Sequence, residues 1–279
     1  MFDWLQLEFM QRALIAGLLV AAICPLIGLF LVLRRLSLIG DGLGHIAFAG
    51  VAAGFVTHIY PLVTALGFTV VGAAGIEWLR SRQRAYGDLA LAIFFYSGIA
   101  GGVVLSKLSD SFSGAQLFGY LFGQISTVSV TDIWFILGLG VVVVAIVILL
   151  YKELFALTFD EATAQVSGIK VGALNLLLAV MAAVTVSVGM RIVGLLMVAA
   201  LMIVPVAAAL QLGRGFKATL IWSVLFSMVS LVIGLATSYY FDIPPGGTIV
   251  LLAVGFFLLA TLFRTIIASL ARSAMRRTA

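Results

Sequence analysis

Long apolar runs alternate along this chain with short polar or basic connections, and that alternation sets its architecture. A helix needs about 20 predominantly apolar residues to cross a bilayer core. By that ruler spans are predicted near 12–33, 38–58, 61–79, 88–107, 131–151, 171–190, 193–212, 218–240 and 247–263. The expected fold is therefore all-α, a polytopic membrane helix bundle of about nine transmembrane helices. The stretch 108–130 is polar at first and then apolar only over Leu117-Phe-Gly-Tyr-Leu-Phe122, too short to span, so it is read as an outer loop with an interfacial or re-entrant helix. Within the spans, Gly40/Gly44, Gly50/Gly54 and Gly98/Gly102 form small-xxx-small pairs suited to close helix packing. Pro25 and Pro205 each remove a backbone hydrogen bond inside a span and can kink it. No inverted repeat between the halves is visible, which weakens the commonest secondary-transporter architecture.

Composition agrees with this reading: 63% of the 279 residues are hydrophobic and 10% charged, against about 25% charged in soluble domains. No separate soluble domain is expected, and residues 1–279 are read as a single transmembrane domain. The first apolar stretch, about 13–33, is too long for a cleaved signal segment and is kept as a span. The lone cysteine, Cys24 beside Pro25, excludes an intrachain disulfide and a Cys-rich metal site. A net charge of +5 does not point to nucleic acid, because the basic residues are dispersed between apolar runs. They report topology instead. With the N-terminus outside, 13 of the 16 Lys and Arg fall on the cytoplasmic side, leaving Arg12, Lys107 and Arg191. The positive-inside rule thus predicts N-out, C-in. Asp3, Glu8, Asp110, Asp132 and Asp242 then face outward.

Candidate chemistry concentrates in Leu38-Ile-Gly-Asp-Gly-Leu-Gly-His-Ile-Ala-Phe-Ala-Gly50. Asp41 and His45, at i and i+4, share a helix face with about 5–6 Å between their Cβ atoms. Each ionisable group costs at least about 2.5–3.5 kcal/mol within a membrane helix, so such a pair implies a function. Carboxylate oxygen plus imidazole nitrogen suits a divalent transition metal. One chain supplies two ligands where zinc takes about four; two copies meeting on this face would supply the rest. The plainer alternative has Asp41 complementing the helix dipole and His45 hydrogen-bonded in a packed interior. A proton- or ion-coupled transporter or channel could use the same pair as a relay. His58, thirteen residues past His45, falls on another face and reads as interfacial. Glu77 and Asp88 flank the Arg80–Arg84 loop as solvated surface charges, and Asp242 precedes a Pro244-Pro-Gly-Gly247 turn. His-Glu-x-x-His is absent and there are two histidines in all, which argues against a membrane metalloprotease; without a Gly-rich Lys-Ser/Thr loop the chain does not bind ATP by that route.

The polar segment 152–170 joins the fifth and sixth spans. Thr158 followed by Glu161 reads as a capping box, and Gly168 as a C-terminal stop, for a helix of about eight residues. A helix that short needs a partner surface. Phe159 and Val166 can anchor one face while Asp160 and Glu161 stay polar, either against the chain's own membrane domain or in a groove of a cytoplasmic motor subunit.

Taken with length and hydropathy, four motifs resemble the permease subunits of the ABC importers for zinc, manganese and iron. They are Leu33-Arg-Arg-Leu-Ser-Leu-Ile-Gly-Asp-Gly-Leu-Gly-His45, Phe159-Asp-Glu with Ala164 and Gly168, Gly194-Leu-Leu-Met-Val-Ala-Ala-Leu-Met-Ile-Val-Pro-Val-Ala-Ala208, and Gly247-Thr-Ile-Val-Leu251. The resemblance implies a fold similar to the vitamin B12-type (type II) importer permeases. It further implies a homodimer in the cell (cytoplasmic) membrane, two cytoplasmic ATP-binding cassette subunits that alone bind ATP, and an extracytoplasmic solute-binding protein. Asp41 and His45 would meet the transported ion, with zinc favoured over manganese and no permanently bound cofactor. Phe159, Asp160, Glu161, Ala164 and Gly168 would belong to the coupling helix, and Pro205 to a pathway-lining helix. Pro244-Pro-Gly-Gly247 departs from the Gly-Pro or Gly-Ser turn expected there.

Overall fold

The structure, a computed structural model, describes residues 6–82, 87–108, 114–123, 128–190, 192–213 and 215–278. Asp3, Arg84, Asp110, Arg191 and Arg214, which entered the charge balance, lie outside the described residues. Among the described residues the regular structure is helical throughout. The first half holds α1 (Glu8–Leu33), α2 (Ile39–Thr57), α3 (Pro61–Arg82), α4 (Gly87–Leu108), α5 (Gly114–Phe122) and α6 (Val130–Leu149). The second holds α7 (Tyr151–Phe159), α8 (Glu161–Val166), α9 (Val171–Gly189), α10 (Leu195–Leu212), α11 (Phe216–Phe241) and α12 (Pro245–Thr278).

All nine expected spans are present as α1, α2, α3, α4, α6, α9, α10, α11 and α12. Eight of them are long and apolar enough to cross a membrane. The ninth, α10, has 18 residues. It is enclosed by α1, α2, α11 and α12, so protein rather than lipid surrounds most of it. Pro61 and Pro245 open α3 and α12 at the position where a missing N–H costs nothing. Pro25 and Pro205 lie inside α1 and α10, whose helical assignment runs through them. With 34 residues, α12 is about 51 Å long at 1.5 Å per residue, and so outlasts the span expected at 247–263.

Packing is set by glycine. Helix α2 lies against α3 and α4 more extensively than any other pair of neighbours. A Cβ on Gly98 of α4 would fall 2.7 Å from the His45 carbonyl carbon, and one on Gly28 of α1 would fall 1.8 Å from the Met202 carbonyl oxygen. Backbones this close are characteristic of membrane helices, whose association depends on van der Waals contact rather than on expulsion of water.

Short connections gather at two ends of the bundle. One end carries the Arg34–Leu38 link between α1 and α2, the α7–α8 pair and the α10–α11 turn. Arg34 holds α8 and α9 to this end, and Arg264 bonds Gln211 there. The opposite end carries α5, the expected short helix, docked on α10 and α12. Gly123 and Gly194, both at positive φ, meet there backbone to backbone, and Gly246 touches the Val193 carbonyl. Tyr60 donates to Asp132 at the same end.

A Gly98→Ala substitution is expected to destabilise the protein by about 1–3 kcal/mol, the range for overpacking. Gly138→Ala meets nothing within 4 Å of its new methyl and should be neutral. Thermal unfolding of the two variants in detergent checks the difference.

Candidate functional site

Asp41 is the third residue of α2 and His45 stands one turn further on; both are half-buried and close enough to interact electrostatically. Three neighbours hold this stretch. Gly98 of α4 lies on the His45 backbone, the Leu195 carbonyl of α10 approaches Gly44, and Ala199 packs on Gly40. The small-xxx-small pairs therefore bring α4 and α10 against the helix that carries the ionisable pair. The His45 ring stands edge-on to Phe95 with centroids 4.2 Å apart and 63° between the planes. Asp41 lines a groove of about 230 Å³ together with Asp88, Leu91, Phe95 and Tyr96.

The packed-interior alternative expects His45 to hold a hydrogen bond. Among the described residues neither side chain hydrogen-bonds to protein, so their lone pairs are free for another group. Also among the described residues, no cluster of three or more His, Cys, Asp or Glu is placed to hold a metal. One chain brings two ligands together. Pro205 is buried in α10 and does not line the Asp41 groove. His58 caps α2 in the left-handed region at φ 56°, exposed and away from the pair, as its spacing predicted.

One acidic residue differs from expectation. Glu77 is buried at 7% exposure rather than solvated. It faces Arg80 at 3.5 Å and takes a hydrogen bond from Asn175. Arg34 donates to Asn175 and, at 2.8 Å, to Glu161. Burial pulls the Arg34 pKa below its ordinary value while the Glu161 carboxylate opposes that shift; an arginine nevertheless keeps its charge. Asp132, at the α5 end, is fully buried in a reciprocal capping box with Ser129 at the start of α6. The Tyr60 contact was not legible in the sequence, but the capping box was. The spacing of Ser129 and Asp132 was the available signal.

The 152–170 segment folds as two helices, not one. Thr158 is not the cap: its hydroxyl donates to the Leu154 carbonyl at 2.6 Å and leaves it inside α7. Asp160 caps α8 instead, accepting from the Ala162 and Thr163 amides at 3.0 Å each. Aspartate is among the best N-caps, and its extended backbone, φ −152°, makes the break between α7 and α8. Gly168 stops α8 as expected. It adopts φ 84°, with Gly168 N–H bonded to Gln165 and Ile169 N–H to Ala164, a Schellman closure. Ala164 is buried against the bundle, whereas Phe159 is 62% and Val166 90% exposed. The pair α7–α8 thus turns apolar side chains outward at the basic end of the bundle.

A bundle of membrane-length helices with an ionisable pair in one of them and an exposed capped helix at one end fits a membrane transport protein. The sequence pattern of the ABC 3 transport family matches residues 6–264. Among curated relatives, a probable metal transport system membrane protein of Treponema pallidum is 39% identical, covering 90% of this chain and 93% of its own length. The manganese transport system membrane protein MntC of Halalkalibacterium halodurans is 33% identical, with 93% and 88% covered. The high-affinity zinc uptake system membrane protein ZnuB of Haemophilus influenzae is 30% identical, with 91% and 97% covered. A chain of PsaBC from Streptococcus pneumoniae, solved in complex with Fab, superposes with a TM-score of 0.84 at 31% identity, covering 93% of each chain. The chain belongs to the ABC 3 transport family. It is a membrane permease rather than an enzyme, and the ATPase of such importers is a separate subunit.

The Asp160 carboxylate has its pKa lowered, first by the Thr163 hydroxyl and then by the backbone N–H groups it accepts. A depressed folded pKa means that this cap contributes in full above the unfolded value, about 3.9, and is lost as pH falls through the lowered folded value. Hydrogen exchange at the Ala162 and Thr163 amides is expected to show that loss, and Asp160→Ala should show the same loss of protection at neutral pH.

Proposed function

We propose that this chain is the permease of an ATP-driven importer for a divalent transition metal, zinc first and manganese second, with Asp41 and His45 as its transient ligands. The observation that carries the reading is the pair itself: carboxylate and imidazole on one face of α2, half-buried and without protein hydrogen bonds among the described residues. Relatives whose names specify manganese and zinc transport support the substrate class. A membrane-embedded polar pair is costly, and a passing cation offsets that cost while it is bound. Two ligands per chain make a weak site in one copy, adequate for a transit ion that must be released. The face of α4 beside the groove is widely exposed, with Ile93, Tyr96, Val103 and Val104 turned outward. A second copy of the chain covers it in this reading, completing a mixed nitrogen and oxygen ligand set.

Residues 1–279 act as a single permease domain in the cytoplasmic membrane, N-terminus outside, a topology supported by the gathering of basic residues at the α7–α8 end. Phe159, Asp160, Glu161, Ala164 and Gly168 form the coupling element docked by a cytoplasmic ATP-binding cassette subunit, and an extracytoplasmic solute-binding protein delivers the ion at the α5 end. Closure of the motor subunits biases the bundle between outward-open and inward-open states. Pro205 in α10 belongs to the pathway wall, where a freed backbone carbonyl is tolerated.

ATP-dependent uptake of radioactive zinc and manganese into vesicles tests this, using the chain assembled with its cognate ATPase and binding protein. His45→Ala is expected to lower uptake by about a hundredfold, near the upper end of what a site coupling of 1–3 kcal/mol allows, while assembly persists. Normal uptake by that variant would remove His45 from the pathway, and uptake indifferent to ATP would remove the importer reading.

A further inference from the structure

The α1–α2 connection is short and held by backbone hydrogen bonds at both ends. Helix α1 ends in a Schellman closure in which Arg35 N–H bonds Val32 and Leu36 N–H bonds Leu31. Arg35 fills the position that glycine normally takes, at φ 59°. A side chain in the left-handed region is disfavoured, so the surrounding contacts must hold it there. From Leu36 two further backbone hydrogen bonds lead into α2. Ile39 N–H bonds the Leu36 carbonyl and Gly42 N–H bonds the Leu38 carbonyl, which carries the link into the first turn of α2 and hence to Asp41.

The side chain of Arg34 leaves this link toward the coupling element. It is 6% exposed, and its two terminal nitrogens engage different helices, Asn175 on α9 and Glu161 on α8. Asn175 passes the connection on to Glu77 on α3, where Arg80 completes the charge balance. Behind this cluster a polar cavity of about 480 Å³ separates α8 from the ends of α3 and α9, lined by Glu77, Arg80, Glu161, Gln165 and Asn175. The helix contacts between α8 and the bundle are correspondingly sparse. Movement of α8 therefore has few routes into the membrane helices, and one of them is the Arg34 fork.

We infer that Arg34 is the transmission residue of this permease: a two-pronged guanidinium that converts displacement of α8 into displacement of the α1–α2 link and so of the Asp41 and His45 ligands. This builds on the importer reading above and adds to it the route by which the motor reaches the site. The planar fork of arginine suits the task, because it presents several donors in a fixed geometry, whereas lysine offers a single flexible point charge. Arg34 touches no ion and is a positioning residue. Glu161 accordingly has a role beyond the surface of the coupling helix, as the acceptor on the moving side of the joint.

The test is the ratio of metal imported to ATP hydrolysed in vesicles containing the complete assembly. Arg34→Gln is expected to lower that ratio about tenfold, within the range of measured site couplings, while ATP hydrolysis continues. Arg34→Lys, which keeps the charge but not the fork, should give an intermediate ratio and carries the test should the glutamine variant fail to assemble. Arg12→Gln, which breaks only an ion pair with Glu8 at the opposite end of the bundle, should match the wild type. A merely structural role for Arg34 would change the amount of assembled complex and leave the ratio alone. A wild-type ratio in both Arg34 variants overturns the inference, whereas absence of ATP-dependent uptake by the wild type itself overturns the importer reading instead.

Discussion

An ionisable pair held half-buried in a membrane bundle constrains everything around it. Asp41 and His45 forfeit hydration and find no hydrogen-bonding protein partner among the described residues, so the helix that bears them has to be fastened by contacts elsewhere along its length. Those contacts run through glycine. Gly98 sets α4 directly on the His45 backbone, while Gly40 and Gly44 admit α10 on another side. Bulkier side chains at these points would push the neighbours away and open the pair to lipid. The same tightness leaves one groove beside Asp41, floored by Leu91 and Phe95. Under the proposed function, firm packing behind the pair and open space in front of it suit an ion that is taken up and then released.

The basic end of the bundle follows a different logic. Charges there are paired across helices distant in sequence, Arg34 with Glu161 and Glu77 with Arg80, around Asn175. Water reaches Glu161, which is about half exposed, but hardly reaches Arg34. The arrangement joins α8 to the α1–α2 link through directional bonds, where an apolar interface would have permitted sliding. In the proposed mechanism that directionality carries a displacement of α8 to α2. At the far end the opposite choice is made: α5, the α9–α10 link and the start of α12 meet backbone to backbone at Gly123, Gly194 and Gly246, a junction with little room for movement.

Much of this was legible from residue order. The nine spans, the short helix in 108–130, the glycine contacts and the Gly168 stop all follow from periodicity and local backbone chemistry, and all are present. The misreadings have two causes, one local and one distant. Thr158 and Glu161 have the spacing of a capping box, yet Asp160 wins because its carboxylate accepts from two amides at once while the Thr158 hydroxyl turns back to Leu154. Glu77 looked like a solvated charge from its position at the end of an apolar run, and it is buried with a partner far away in the chain, Asn175.

Sequence alone determined the class of the molecule, because membrane insertion depends on the summed hydropathy of each run, and family membership is written in motifs spread along the chain. It also determined that Asp41 and His45 share a face, since a separation of four residues is a property of a single helix. Tertiary structure decided which charges are buried, and that Arg34, in the α1–α2 link, bonds both α8 and α9. The Arg34 contact joins segments 127 residues apart. No local pattern records such a contact, because its energy exists only after the helices have packed.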